Sequence, residues 1–101
     1  MASTRRIGKH ATTVSRDSEG ILRVTYHATP VVSLFRSGRI DLAHGGYMSA
    51  TTKLRMNQAS NELSLGFHVW QKNYAWYVDI DGHTIEFDRP SITIRNGRPL
   101  L

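Results

Sequence analysis

Cysteine is absent from the 101 residues of the chain, which excludes disulfides, thiolate zinc sites and a cysteine nucleophile. Long apolar runs are absent too, and none reaches the roughly 20 residues that a membrane-spanning helix needs. The N-terminal stretch is basic and rich in hydroxyl residues but has no hydrophobic segment, so we do not interpret it as a secretory signal. These absences predict a non-membrane protein that can fold in a reducing compartment.

Signatures of catalysis and of metal binding are missing from the sequence. No serine lies in the Gly-x-Ser-x-Gly pattern of a hydrolase, and Gly45-Gly46 lacks the Gly-Lys-Ser/Thr ending of a phosphate loop. No two of the five histidines are three or four residues apart, so the chain has no local pair of metal ligands. Asp81-Gly82 is typical of a tight hairpin turn rather than of a calcium loop. We therefore predict a protein that is not an enzyme and uses no metal or cofactor.

Charge is distributed unevenly along the chain. The formal net charge is +5, from 13 lysines and arginines and 8 acidic residues. Residues 66–88 contain one lysine and four carboxylates, a net charge of −3, so the basic excess lies elsewhere. A polyanion would approach the basic part of the chain and avoid the acidic segment. The alternative is a soluble surface with a mild basic bias.

Apolar residues alternate with polar ones over several short runs, which is typical of strands. Together with one helical segment they predict an α+β protein, in which an antiparallel sheet in the order β-β-β-α-β-β-β has the helix packed on it. Residues 1–18 are expected to form a mobile polar tail, residues 19–95 a single domain, and residues 96–101 an irregular C-terminal tail. The predicted strands are 21–27, 31–35, 39–44, 67–72, 75–80 and 83–88, with 91–94 as a further short edge strand.

The stretch GGYMSATTKLRMNQ, residues 45–58, predicts a helix that begins at Ser49 or Thr51 and runs to about Leu63, with a hydroxyl residue as its N-cap. Its apolar stripe is narrow, so most of the helix surface is polar. Amide side chains can recognise adenine, and arginine can recognise guanine, when a helix enters a groove. The helix start is therefore a candidate surface for nucleic acid or another partner, with a solvated helix face as the alternative. The candidate residues are Thr52, Lys53, Arg55, Asn57 and Gln58, together with Arg36 and Arg39 from the preceding strands.

Aromatic residues are concentrated between residues 67 and 77. The alternation of a strand places Trp76 on one face of the sheet and Tyr77 on the other, and the sequence leaves open which face packs against the helix. Exposed aromatic rings can stack on bases, but the acidic character of this hairpin favours a protein partner. Core packing is the alternative for each ring. The candidate contact residues are Trp70, Tyr74, Trp76 and Tyr77.

Several short motifs resemble those of a family of small proteins encoded by tailed bacteriophages. The shared pattern has a His-x-Thr-x-Val-Val strand at 27–32, a Gly-Gly-Tyr lead-in at 45–47, a Thr-Thr-Lys-x-Arg-Met-Asn-Gln helix start at 51–58 and a Val-x-Gln-Lys-x-x-x-Trp-Tyr-Val hairpin at 69–78. The resemblance covers roughly residues 21–88. It implies a phage-encoded protein without indicating a mechanism.

We therefore expect a small, non-catalytic accessory protein of a phage, acting in the cytoplasm of the host bacterium. The first hypothesis is binding to nucleic acid, or to a nucleoprotein, through the basic helix start. The second is inhibition of a host protein complex, such as a CRISPR effector used in defence, by protein–protein contact. The third is a structural or assembly role in the virion. The expected partner is thus nucleic acid, a host protein or a nucleoprotein complex, and not a membrane.

Overall fold

The computed structural model describes residues 11–46, 48–95 and 98–99, with side chains up to residue 94. In this part of the chain the α+β class is confirmed, with one helix between two groups of antiparallel strands, but the strands form two sheets rather than one. The elements in chain order are β1 (Thr12–Arg16), β2 (Leu22–Tyr26), β3 (Thr29–Leu34), β4 (Arg39–Ala43), α1 (Ala50–Glu62), β5 (Phe67–Lys72), β6 (Ala75–Ile80), β7 (His83–Glu86), β8 (Ser91–Arg95) and β9 (Arg98–Pro99).

The larger sheet, sheet A, has six antiparallel strands in the order β1-β2-β3-β4-β8-β9. Strands β1 to β4 form a meander, and β8 returns to pair with β4 after the chain has built the second sheet. Alternation along the strands gives sheet A a buried face, which includes Val24, Val32 and Leu42, and a polar outer face. The outer face contains the cross-strand row Arg23, Ser33, Asp41 and Thr93.

The smaller sheet, sheet B, consists of β5, β6 and β7 joined by two tight hairpins. Both turns have positive φ at their two central residues, with 52° and 68° at Asn73-Tyr74 and 49° and 76° at Asp81-Gly82. Such pairs of φ values are typical of type I′ turns, whose twist matches that of the flanking strands. The predicted Asp-Gly hairpin turn is confirmed, and Asn73-Tyr74 makes a second turn with the same signs of φ.

The structure differs from the sequence-based expectation at both ends of the chain. Thr12–Arg16, which composition places in a mobile tail, forms β1, because its β-branched residues pair with β2 at the edge of sheet A. Arg98–Pro99, which composition places in an irregular tail, forms the short strand β9 beside β8. Residues 1–10, 96–97 and 100–101 of the two predicted tails lie outside the described part of the chain.

Helix α1 packs against both sheets and thereby joins them. Its 13 residues contact β5 of sheet B as well as β2 and β3 of sheet A. Met56 and Ala59 are fully buried, as the predicted narrow apolar stripe requires. No helix within the described residues is long and apolar enough to cross a lipid bilayer. The rest of the core consists of apolar side chains from the strands and loops of both sheets: Val24, Val31, Val32, Ile40, Leu42, Phe67, Val69, Trp76, Val78, Ile80, Phe87 and Ile94.

Candidate functional site

Helix α1 begins where the chain leaves β4 through a Gly-Gly turn. Gly45 and Gly46 have φ of 59° and 86°, a conformation that glycine adopts without strain. A side chain at Gly45 would also collide with Thr29, whose Oγ1 lies 2.8 Å from the position of an added Cβ. Ser49 caps the helix, because its Oγ accepts the N–H of Thr52 at 3.1 Å. The predicted hydroxyl-capped helix start is therefore confirmed.

Three of the residues predicted to form a surface at the helix start are buried instead. Thr52, Arg55 and Gln58 expose 0%, 6% and 1% of their area. Arg55 donates from Nε to Thr12 Oγ1 at 2.9 Å and from Nη1 to Gln58 Oε1 at 3.1 Å, and its guanidinium lies 5.9 Å from the centre of the Tyr26 ring. The predicted exposure of these three side chains is wrong, because they are buried and hydrogen-bonded inside the protein, and Arg55 also ties α1 to β1 of sheet A.

Asn57 and Ser60 close the free edge of β5. The Asn57 side chain donates from Nδ2 to the carbonyl of Val69 at 2.9 Å and accepts the Val69 N–H on Oδ1 at 2.7 Å. One turn later, Ser60 Oγ donates to the carbonyl of Phe67 at 2.6 Å and accepts the Phe67 N–H at 3.0 Å. These two side chains occupy the hydrogen-bonding groups that an exposed edge strand would offer to another strand. Asn57 therefore has a structural role, and its amide is not available to a base.

Lys53 lies on the same face of α1 and contacts the β5–β6 hairpin of sheet B. Its Nζ donates to Gln71 Oε1 at 2.7 Å and lies 5.5 Å from the centre of the Trp76 ring. Lys53, Asn57 and Ser60 are spaced by four and then three residues, which places them on one stripe of the helix. Sequence reasoning misses this role, because polar residues at helical spacing are equally typical of a face that contacts only water.

Arg36 and Arg39 lie far from the helix start, at the opposite end of sheet A. Arg39 begins β4, whereas the chain leaves the other end of that strand at Ala43 to reach α1, so the two ends are about 14 Å apart. The predicted single basic surface at the helix start is thus corrected: its residues belong to separate regions. We call the distant region the arginine end, because each strand of sheet A, or the turn after it, supplies one arginine there. The set is Arg16, Arg23, Arg36, Arg39, Arg95 and Arg98.

Backbone pairing lines up three of these arginines on neighbouring strands. Arg95 of β8 lies directly opposite Arg39 of β4, and Arg98 of β9 lies directly opposite Arg95. Directly opposed residues of antiparallel strands share a face of the sheet. The register therefore gives a row of three arginine positions on the outer face of sheet A.

Carboxylates hold two of the arginines in place. Arg39 donates to both carboxylate oxygens of Asp41, at 3.0 and 2.9 Å, and its guanidinium lies 4.3 Å from the centre of the Phe35 ring. These bonds lower the pKa of Asp41 below its ordinary value. Arg23 donates to Asp17 at 2.6 Å, and this bond is the main cause of the lowered pKa of Asp17. Both carboxylates consequently stay ionised and keep the guanidinium groups oriented.

The side chains of Arg16 and Arg36 both lie close to Gly20. Arg16 donates from Nη1 to the Gly20 carbonyl at 3.0 Å, and an added Cβ at Gly20 would lie 2.4 Å from Arg36 Nε. Arg36 is exposed and has no ion pair among the described residues. By sequence, the arginine end brings together six arginine positions and three acidic residues, Asp17, Glu19 and Asp41, so positive charge is in excess there.

The exposed fractions of the aromatic side chains show which face of the β5–β6 hairpin packs against the core. Trp76 exposes 1% of its area and lies against His44 and Phe87, with ring centres 5.4 and 5.9 Å away. On the outward face, Trp70 stacks on Tyr77, with ring centres 4.6 Å apart and an angle of 26° between the ring planes. The core interpretation therefore holds for Trp76, while Trp70 and Tyr77 cover each other on the outside of sheet B.

Two cavities lie on either side of His44 and Met48. The first, of about 450 Å³, borders the start of α1 and includes Ser49 and Thr52 in its wall. The second, of about 240 Å³, opens between the hairpin turn at Tyr74 and residues 86–90, and we call it the hairpin pocket. His44 is buried between them, and this burial lowers its pKa below the ordinary value. The neutral imidazole accepts the N–H of Gly46 on Nδ1 at 3.0 Å.

These features define a class of protein: a small α+β protein in which one helix joins two antiparallel sheets, with a basic end on one and an acidic hairpin on the other. Among the described residues, no group of three or more histidine, aspartate or glutamate side chains could hold a metal ion. Residues 1–95 match the family model described as Kyanoviridae Gp96 protein, and the chain belongs to this family of phage proteins. Comparison with curated proteins and with solved structures gave no match. The family match confirms the resemblance to small proteins of tailed phages.

Proposed function

We propose that this phage protein binds nucleic acid, free or within a nucleoprotein complex, through the arginine end of sheet A, in the cytoplasm of the host bacterium. The observation that carries the proposal is the convergence of six arginine positions, one for each strand, at one end of one sheet. Neighbouring strands are about 4.8 Å apart, so the arginine end spans about 24 Å across the six strands. A nucleic-acid backbone presents several phosphates over that length.

The chemistry of arginine suits this role. Guanidinium is planar, remains charged at every physiological pH and matches phosphate oxygens with two parallel N–H donors. Arg39 and Arg23 are oriented by their carboxylate partners, and each guanidinium has further N–H groups for a phosphate. Arg36, which is exposed and has no ion pair among the described residues, is the side chain we expect a phosphate to meet first.

The location of the surface differs from the one that the sequence predicts. Helix α1 buries Thr52, Arg55 and Gln58, and its Asn57 amide is bonded to the main chain of β5. Lys53 keeps a charge near the helix start but donates to Gln71. The arginine end of sheet A therefore supports nucleic-acid binding better than the helix does.

The experiment is a fluorescence anisotropy titration of the protein with a labelled 20-nucleotide single strand of DNA, the same sequence of RNA, and the DNA duplex. We expect binding at low salt whose logarithm falls linearly with the logarithm of salt concentration, at about 0.7 to 0.9 per phosphate contacted. Absence of binding to all three probes at low ionic strength would reject the proposal. The comparison between probes also shows which nucleic acid is preferred.

A second candidate function is inhibition of a host protein complex, including one used in antiviral defence, through the hairpin of sheet B. The exposure of Tyr74, at 92% of its area, and of Met48, at 46%, favours it, because both border a cavity. Exposed apolar side chains beside a cavity are typical of protein-binding surfaces. A role in the virion, the third expectation, is tested by mass spectrometry of purified particles.

A further inference from the structure

The hairpin pocket has the shape and lining of a site for one side chain. Its volume of about 240 Å³ is below the range of roughly 300 to 1,000 Å³ that is typical of sites for drug-sized molecules. Its walls include Trp76, Phe87 and Pro90, which are apolar, and its mouth lies between the exposed side chains of Met48 and Tyr74. An aliphatic side chain that enters this pocket would leave water for a mostly apolar environment.

One residue that lines the hairpin pocket, Trp76, has a buried polar atom without a partner in the described part of the chain. The indole N–H of Trp76 is buried and has no hydrogen-bond acceptor among the described residues. A buried donor without an acceptor costs free energy, and such groups are rare in folded proteins. A main-chain carbonyl placed in the pocket beside an inserted side chain would supply the acceptor.

The charged residues around the pocket favour a cation beside that side chain. Glu86, Asp88 and Arg89 line it, and Arg89 pairs with Asp88 at 3.3 Å. Glu86 has no ion pair among the described residues. A carboxylate in this position attracts lysine or arginine and repels a nucleic-acid backbone.

We infer that the hairpin pocket is the docking site for an extended segment of a protein partner, in which an aliphatic side chain stands next to lysine or arginine. The aliphatic side chain fills the cavity, a carbonyl of the segment accepts the Trp76 N–H, and the cation faces Glu86. The inference deepens the second candidate function by giving the chemistry of the partner. It does not depend on nucleic-acid binding, which uses the other sheet.

The test follows the two indole N–H resonances of the protein by ¹H–¹⁵N NMR, since the chain has two tryptophans. The probes are three blocked peptides with the cores Lys-Leu-Lys, Glu-Leu-Glu and Lys-Gly-Lys, each titrated to about 5 mM, which would mostly fill even a site with a millimolar Kd. We expect Lys-Leu-Lys to shift the Trp76 resonance saturably while the Trp70 resonance stays in place. Glu-Leu-Glu and Lys-Gly-Lys should bind several-fold more weakly or not at all.

A matched pair of variants tests the charge requirement. Glu86→Gln should raise the Kd of the Lys-Leu-Lys peptide several-fold, whereas Asp81→Asn, which removes the same charge at the other turn of sheet B, should leave it unchanged. If Glu86→Gln fails to fold, the three peptides on the wild-type protein decide the question alone. An unmoved Trp76 resonance, or equal effects of the three peptides, would overturn the inference. Oligonucleotide binding at the arginine end is measured separately, and its result does not depend on the result with the peptides.

Discussion

The side-chain amide of Asn57 forms hydrogen bonds with both main-chain groups of Val69, at 2.9 and 2.7 Å. A helix thus completes the edge of sheet B where another strand would otherwise pair. Asn57→Ala removes both bonds and leaves two partly buried main-chain groups without them, so we expect a loss of about 1–3 kcal/mol in the free energy of unfolding. Urea unfolding measures this loss.

The control for that prediction lies on the same helix. Leu54 is 41% exposed, so Leu54→Ala should change the free energy of unfolding by about 0.5 kcal/mol or less. Asn57→Asp can still accept the Val69 N–H but cannot donate to its carbonyl, and it should fall between Asn57→Ala and wild type. Equal stability of Asn57→Ala and Leu54→Ala would contradict the edge-closing role.

Arg55 and Gln58 form a buried pair that we expect to be energetically coupled. Arg55→Met removes the donor to both Gln58 Oε1 and Thr12 Oγ1, and hydrogen bonds from a charged donor contribute about 1.5–3 kcal/mol. A double-mutant cycle with Gln58→Leu should give a coupling energy above about 0.5 kcal/mol, since the two side chains are in contact. Strictly additive effects would show that the two residues act separately.

His44 should make stability depend on pH near neutrality. Its pKa is lowered in the folded protein by burial, while an unfolded histidine titrates near 6.5. The unfolded chain therefore binds more protons as pH falls below about 6.5, and the stability that His44 contributes above this pH is lost on acidification. Protonation of Nδ1 would also break its bond with the Gly46 N–H.

The measurement is the free energy of unfolding at pH 7.5 and at pH 5.5 for wild type and for His44→Phe. The variant removes the titrating group while keeping an aromatic ring, so its stability should fall less between the two pH values than that of wild type. The other histidines are common to both proteins and cancel in the comparison. An identical fall in both proteins would show that His44 does not set the pH dependence.

Strands β2 to β8 and the helix could be predicted from sequence because their signals are local. Alternation, β-branched residues and Asp81-Gly82 mark strand and turn without reference to distant parts of the chain. Strand β1 could not be predicted in this way, since Thr12–Arg16 has no apolar alternation and acquires its structure from pairing with β2. The division into two sheets depends on the pairing of β4 with β8. These strands are far apart in the sequence, so no short sequence pattern indicates that they pair.

The candidate site was harder to predict for a physical reason. A polar residue at helical spacing looks the same whether it faces water, as the sequence suggests for Asn57, or the edge of a strand, as the structure shows. Arg36 and Arg39 are recognisable as basic residues, but only the register of sheet A shows that they lie with the arginines of the other strands. The motif that carries the family resemblance therefore contributes largely to the fold.

Two variants with the same change of charge test directly whether the arginine end, rather than the helix start, binds a polyanion. Arg36→Gln and Lys53→Gln each remove one positive charge, and their binding to the preferred oligonucleotide is measured over a range of salt concentrations. We predict weaker binding for Arg36→Gln, with a salt slope shallower by about one unit, and wild-type affinity and slope for Lys53→Gln. The reverse result, with Lys53→Gln impaired and Arg36→Gln unchanged, would contradict nucleic-acid binding at the arginine end.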